Sequence, residues 1–150
     1  VIIKSRARVS HEDLVPALQG RRLAIPKDQD SLDQFQLYAA ILAARPKILI
    51  RYLRKAYESD SYNRVRVTLD RQLCYKVTEE PRVHLSGSGW QQNRLTLGNL
   101  ILEIKFTGHF PNWLCGVVRH LNLQAQGISK YATGLQQACA LGFCAPRGGD

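Results

Sequence analysis

Cationic residues recur at alternate positions, or on one face of an alternating stretch, in four parts of this sequence. Lys4, Arg6 and Arg8 alternate in the first, and Arg64 and Arg66 in RVRVTLDR (64–71). Arg54 stands in KILIRYLRKAY (47–57) and Lys105 in LILEIKF (100–106). A period of two puts such residues on one face of a strand, with apolar neighbours such as Val65, Val67 and Leu69 on the other. Each polar face taken singly reads as an ordinary solvated one. Repetition of one sign changes the reading, because like charges on an exposed sheet face repel across strands. A polyanion would offset that repulsion, with Arg presenting forked donors to phosphate and Lys a point charge. Glu103 sits mid-strand, two residues before Lys105. It is either the ion-pair partner of a neighbouring Arg or a hard oxygen ligand for Mg²⁺ or Mn²⁺. In the second case phosphate oxygens supply the remaining ligands.

The overall balance agrees. The chain has 150 residues with 21 Lys+Arg against 12 Asp+Glu, a formal net charge of +9. Such an excess predicts a polyanionic partner, and the length suits a single domain with its own core. Nucleic acid is disfavoured, since the aromatics do not interleave with the basic positions as a stacking platform requires. There is no GxxxxGK[ST] loop, and the GSG run at 87–89 lacks a following Lys. His11, His84, His109 and His120 share no spacing with a Ser or Cys nucleophile. Cys74, Cys115, Cys139 and Cys144 form no CxxC pair and read as reduced thiols. The longest apolar runs, Tyr38–Ala44 and Leu100–Ile104, are far too short to span a bilayer. With no cleavable signal pattern at the start, the expected location is cytoplasmic.

The elements that must hold these residues follow from periodicity. A strand is expected over 1–9, then a helix capped by Ser10, with Asp13 in its first turn and Gln19-Gly20 at its end. Ser31 or Asp30 caps a second helix carrying Phe35, Tyr38, Ile41 and Leu42, closed by Arg45-Pro46. Strands at 47–57 and 64–71 make a hairpin about a turn at 58–63, and 72–77 could extend it. In the first of these Ile48, Ile50, Tyr52, Arg54 and Ala56 share a face. Residues 78–93 read as loop and 97–107 as the next strand. Pro111 opens a helix with the stripe Trp113, Leu114, Val117, Val118 and Leu121. A last helix runs from Ser129 to Leu141. The domain is expected over 1–141, with 142–150 as a flexible tail. Strands 1–9, 47–57, 64–71 and 97–107 should form one antiparallel sheet, and helices 32–44 and 112–121 should bury their apolar stripes.

Four ordered segments, RYLRKAY (51–57), RVRVTLDR (64–71), LEIKFTGHFPNWL (102–114) and SKYATG (129–134), together resemble the VTC domain. This is the polyphosphate polymerase domain of the vacuolar transporter chaperone, a triphosphate-tunnel enzyme related to the CYTH phosphohydrolases. The resemblance implies an α+β fold: an antiparallel β-barrel around a basic tunnel, with helices packed outside. It implies transfer of the ATP γ-phosphate to a growing inorganic polyphosphate chain, assisted by Mn²⁺ or Mg²⁺. ATP and polyphosphate would be its partners, and a membrane-protein partner is possible in this family. Residue by residue, Arg54 matches the R-x-A-[FY] arginine, Arg66 that of R-V-R-[VI], and Lys130 the lysine of S-K-[YF]; these three take catalytic roles. Phosphate binding would fall to Lys4, Arg6, Arg54, Arg66, Lys105 and Lys130, with Lys4 matching a tunnel lysine of the K-x-R strand. Glu103, in L-E-[IV]-K, matches the metal-binding glutamate. Gly127 stands where some members carry a further lysine. The family's earlier basic strands would precede Val1, which makes the expected barrel incomplete. A tunnel-fold triphosphate hydrolase and a non-catalytic polyphosphate-binding module are the alternatives.

Overall fold

A computed structural model describes residues 4–24, 27–59 and 64–143. Contacts divide the chain into two units: Val1–Lys47 with Thr78–Val83, and Ile48–Val77 with His84–Asp150.

In the first unit, α1 spans Leu14–Leu18 and α2 spans Gln29–Ile41. Ser10 Oγ accepts the Asp13 N–H at 3.1 Å and donates to Asp13 Oδ2 at 2.7 Å. This reciprocal pair closes a turn, so the helix itself begins one turn later than expected, with Asp13 at the N-cap. The gap between the helices is closed by Gln36, whose Nε2 donates to the carbonyls of Ala17 and Arg21, both at 2.9 Å. Asp28, rather than Asp30 or Ser31, stands at the N-cap of α2. Its carboxylate is spent elsewhere, accepting the Arg8 N–H at 2.9 Å.

That contact bears on the expected first strand. Residues 4–9 form no ladder; residues 1–3 lie outside the described residues. Their alternation is genuine, but a strand also needs a paired neighbour. Here the segment is tied to α2, through Arg8 and through a Ser5 Oγ to Gln34 Oε1 bond of 3.1 Å. The stripe of α2 is also not buried as expected. Leu32 is buried, whereas Phe35, Tyr38, Ile41 and Leu42 are about half exposed or more. Within its unit α2 meets the five-residue α1, which is too short to cover thirteen residues of helix.

The second unit is built on an antiparallel sheet: β1 (Ile48–Glu58), β2 (Val65–Val77), β3 (Gln91–Gln92) and β4 (Ile101–Phe106). β1 lies along one edge of β2, while β4 and β3 share the other edge end to end. Among the described residues neither β1 nor β4 has a second partner, so this sheet is open and not closed into a barrel. The fold is α+β. The segment read as loop over 78–93 contributes β3 at its end, and residues 94–96 make a 3₁₀ turn before β4.

A bulge gives the sheet its character. Arg51 pairs with Cys74 and Leu53 with Arg71, so two residues of β2 oppose one of β1. Gln72 absorbs the extra residue at φ +53°, the left-handed conformation that one form of bulge requires. Before the bulge, Arg66, Thr68 and Asp70 occupy one face. After it, the same face carries Leu73, Tyr75 and Val77. β1 runs through without interruption and puts Ile48 and Ile50 against the apolar half and Arg54 against the polar half.

Helix α4 (Lys130–Ala140) covers the apolar half. Ser129 caps it, accepting the Ala132 N–H at 3.2 Å. Lys130, Gly134 and Ala138 recur every fourth residue and form one stripe toward the sheet. Gly134 and Ala138 are buried, and Ile48, Tyr75 and Ala138 form the core, with Ile50, Val77 and Leu135 packed around them. A Cβ on Gly134 would lie 2.9 Å from Ile50 Cδ1 and 3.2 Å from Ile48 Cδ1. The other side of α4 is clamped by buried Asn93. Its Oδ1 accepts from Leu95 N and Gln137 Nε2, both at 2.9 Å, and its Nδ2 donates to Thr133 Oγ1 at 3.4 Å. Helix α3 (Asn112–His120) buries Leu114, with Cys115 and Val118 partly covered. Trp113, Val117 and Leu121, expected inward, form the exposed stripe. The expected tail lies outside the described residues from 144 onward.

The closeness of α4 to the sheet is testable. Gly134→Leu forces bulk into a filled contact and should destabilise the domain by roughly 1–3 kcal/mol. Gly116, inside α3, has nothing within 4 Å of an added Cβ. Gly116→Ala should therefore stabilise by up to about 1 kcal/mol through helix propensity. Urea denaturation of the two variants side by side measures both signs.

Candidate functional site

The polar half of that sheet face collects most of the residues singled out above. Register sets three rows across it: Arg54, Asp70 and Ile101; Ala56, Thr68 and Glu103; Glu58, Arg66 and Lys105. Alternation on each strand turns these side chains to the same side as α4. Lys130, the first residue of α4, stands one turn before Gly134, so the close packing of that glycine brings its ammonium over the boundary between the two halves.

Asp70 is the centre of the arrangement. Its side chain has no exposure at all. Arg54 grips it with both forks, Nε to Oδ1 at 2.6 Å and Nη2 to Oδ2 at 2.7 Å. Lys130 Nζ adds a third contact, 2.9 Å from Oδ2. Beneath both cations lies Tyr52, its ring centroid 5.1 Å from Arg54 Cζ and 5.3 Å from Lys130 Nζ, within reach of a cation–π attraction. The hydrogen bonds from Arg54, reinforced by Lys130, hold the Asp70 carboxyl below its ordinary range against the opposing effect of burial. The same contact raises the Arg54 guanidinium above its ordinary value.

Glu103 forms a second, more open centre. Lys105 Nζ lies 3.0 Å from Oε1 and Arg54 Nη2 3.6 Å from Oε2, and Thr68 Oγ1 donates to Oε2 at 3.4 Å. The Lys105 hydrogen bond keeps this carboxyl below its ordinary range. Arg66 is exposed and makes no ion pair with any described residue. A small pocket of about 30 Å³ opens here, lined by Arg54, Arg66, Thr68, Glu103 and Lys105. Four cations surround two carboxylates, and the lining groups offer donors and charge, with no Ser, Cys or His nucleophile among them. Such a surface can bind and orient an anion and neutralise charge that develops on it.

The structure thus brings together Arg54, Arg66, Lys105, Lys130 and Glu103. Lys4 and Arg6 are exposed residues of the first unit. Asp70, Tyr52 and Thr68 were not singled out from the sequence. For Asp70 a signal existed: an aspartate within a β-branched strand is disfavoured, and this one shared its face with Arg64, Arg66 and Thr68. Its partner depends on a register that strand limits alone do not supply.

A folded-state carboxyl held low contributes stability above the ordinary aspartate pKa, and that contribution is lost as pH falls toward the depressed value. Stability should therefore decline below about pH 4, and Asp70→Asn should flatten that decline. At neutral pH, removing one member of a buried pair costs about 3–5 kcal/mol. The low end is expected here, because Arg54 and Lys130 can regain water. Urea titrations from pH 3 to 7 on both proteins check the slope and the size.

Residues 3–139 match the VTC domain family. No curated protein and no solved structure matches the chain. The matched stretch runs from ahead of α1 almost to the end of α4 and takes in every charged residue of the pocket, together with Asp70 and Lys130. With that extent of agreement, the chain belongs to the VTC domain family.

Proposed function

We propose that this domain is a polyphosphate polymerase, which transfers the γ-phosphate of ATP to the end of an inorganic polyphosphate chain. One observation carries the reading: Arg54, Arg66, Lys105 and Lys130, from three strands and a helix, converge on one end of a sheet face that is otherwise apolar. Family membership supports it, since VTC domains are associated with polyphosphate synthesis. In this reading the sheet is part of the wall of an antiparallel tunnel, and Lys4 and Arg6 are further phosphate-binding residues of the domain. ATP and polyphosphate are its ligands, nucleic acid is not, and the domain works on the cytoplasmic side, with a membrane protein as a possible partner. No helix among the described residues is long and apolar enough to cross a membrane.

Phosphoryl transfer requires little covalent participation from the protein. Its loose transition state calls for positioning and for cations aimed at the phosphate oxygens. Arg66 and Lys105 would bind the transferring phosphate and its neighbour, while Arg54 and Lys130, already oriented, would hold the next one. No group of three or more His, Cys, Asp or Glu side chains converges among the described residues. A metal would therefore depend on Glu103, which is ionised and about one-third exposed beside the pocket. One carboxylate suits Mg²⁺ or Mn²⁺ where phosphates complete the shell, and the ion would neutralise charge on them. To hold such an ion, Glu103 would have to give up its contact with Lys105. A binding module without turnover is the second reading, favoured by the 3.0 Å contact that already engages Glu103.

The test uses the full chain, with ATP, Mn²⁺ or Mg²⁺ and a polyphosphate primer. Glu103→Gln should abolish metal-dependent turnover and leave tripolyphosphate affinity within a few-fold. Arg66→Ala should weaken binding by about 1.5–3 kcal/mol, the value of a hydrogen bond to a charged group. Salt-sensitive binding without turnover would establish the second reading, and hydrolysis without chain growth would make the domain a triphosphatase.

A further inference from the structure

We propose that Asp70 is a positioning residue of the phosphate site: its buried carboxylate fixes Arg54 from β1 and Lys130 from α4 at a set spacing before any ligand arrives. The proposal rests on the phosphate reading above, and it runs against the simplest electrostatic expectation. A carboxylate among cations lowers the field that attracts an anion, so its presence calls for another role. Three contacts define that role. Both oxygens of Asp70 are engaged, Oδ1 by Arg54 Nε and Oδ2 by Arg54 Nη2 and Lys130 Nζ, at 2.6, 2.7 and 2.9 Å. The other N–H donors of both cations are not spent on Asp70.

Arg and Lys are among the side chains with most rotamer freedom to lose. When they are ordered in advance, the ligand does not bear that cost on binding. The two cations also come from elements far apart in sequence, and Asp70 is the carboxylate to which both are hydrogen-bonded. Tyr52 supports the pair from below, within 5.1 and 5.3 Å. Helix α4 in turn sits where Gly134 and Asn93 place it, so the core and the site share one helix.

Calorimetric titration of the full chain with tripolyphosphate, at fixed ionic strength, separates position from field. Removing a negative charge should tighten binding if field alone matters. Positioning gives the opposite sign, and folded Asp70→Asn should bind at least tenfold more weakly. Unchanged or tighter binding by the folded variant overturns the proposal, as would a role that lowers only the melting temperature. Because Asp70→Asn can fail to fold, a second measurement needs no variant. In ligand-free wild-type protein, the Arg54 Nε–H and Lys130 Nζ–H protons should give resolved NMR signals in slow exchange with water. Averaged signals, as from free side chains, overturn the proposal. The wild-type titration comes first: absence of tripolyphosphate binding there defeats the phosphate reading itself and is thereby distinguished from failure of the Asp70 proposal.

Discussion

A fully buried carboxylate in contact with two cations is the constraint around which the second unit is arranged. An ionised group without water must be paired and hydrogen-bonded, or it neutralises. Asp70 meets that condition with Arg54 across the ladder and Lys130 from above. Each partner then imposes its own requirement. Arg54 must stand opposite Asp70, which sets the hairpin register. Lys130 must descend to the sheet, which requires α4 to approach within the distance that Gly134 permits. Packing and electrostatics here are one problem, solved by a few shared residues.

Much of the second unit was legible from pattern. The hairpin, β4, α3 and α4 follow from alternation, helical spacing, Pro111 and the Ser129 cap. The division of β1 into a face with Ile48, Ile50, Tyr52 and Arg54 is the one observed. The shared face of Arg66, Glu103 and Lys105 was also readable, because each lies opposite an apolar face of its strand, whereas Arg54 shares its face with Ile48, Ile50 and Tyr52. Asp70 was not, since its importance lies in a cross-strand partner and in burial, neither of which a single strand reveals.

Elsewhere the pattern misled for identifiable reasons. Residues 4–9 alternate but are held by Asp28 and Gln34 in place of a neighbouring strand. The apolar residues of α3 were more numerous than one face can bury, and Leu114 was chosen over Trp113 and Val117. In α2 the stripe is real, but α1 offers little surface for it. Periodicity identifies which residues share a face and is silent on what covers it.

The bulge at Gln72 has a consequence for comparing this chain with its relatives. If alternation ran unbroken through Gln72, then Gln72, Cys74 and Lys76 would continue the row of Arg66, Thr68 and Asp70, and Leu73, Tyr75 and Val77 would turn away from α4. The bulge sets one residue aside, and a strand lacking it would hold the same two half-faces by plain alternation. Against a relative with a regular strand, an alignment that opens no gap there equates inward positions with outward ones along the rest of the strand. Lineages carrying the same site can therefore lose a residue at 71 or 72 and keep it, whereas a single deletion elsewhere along β2 would turn one half of the face against the other.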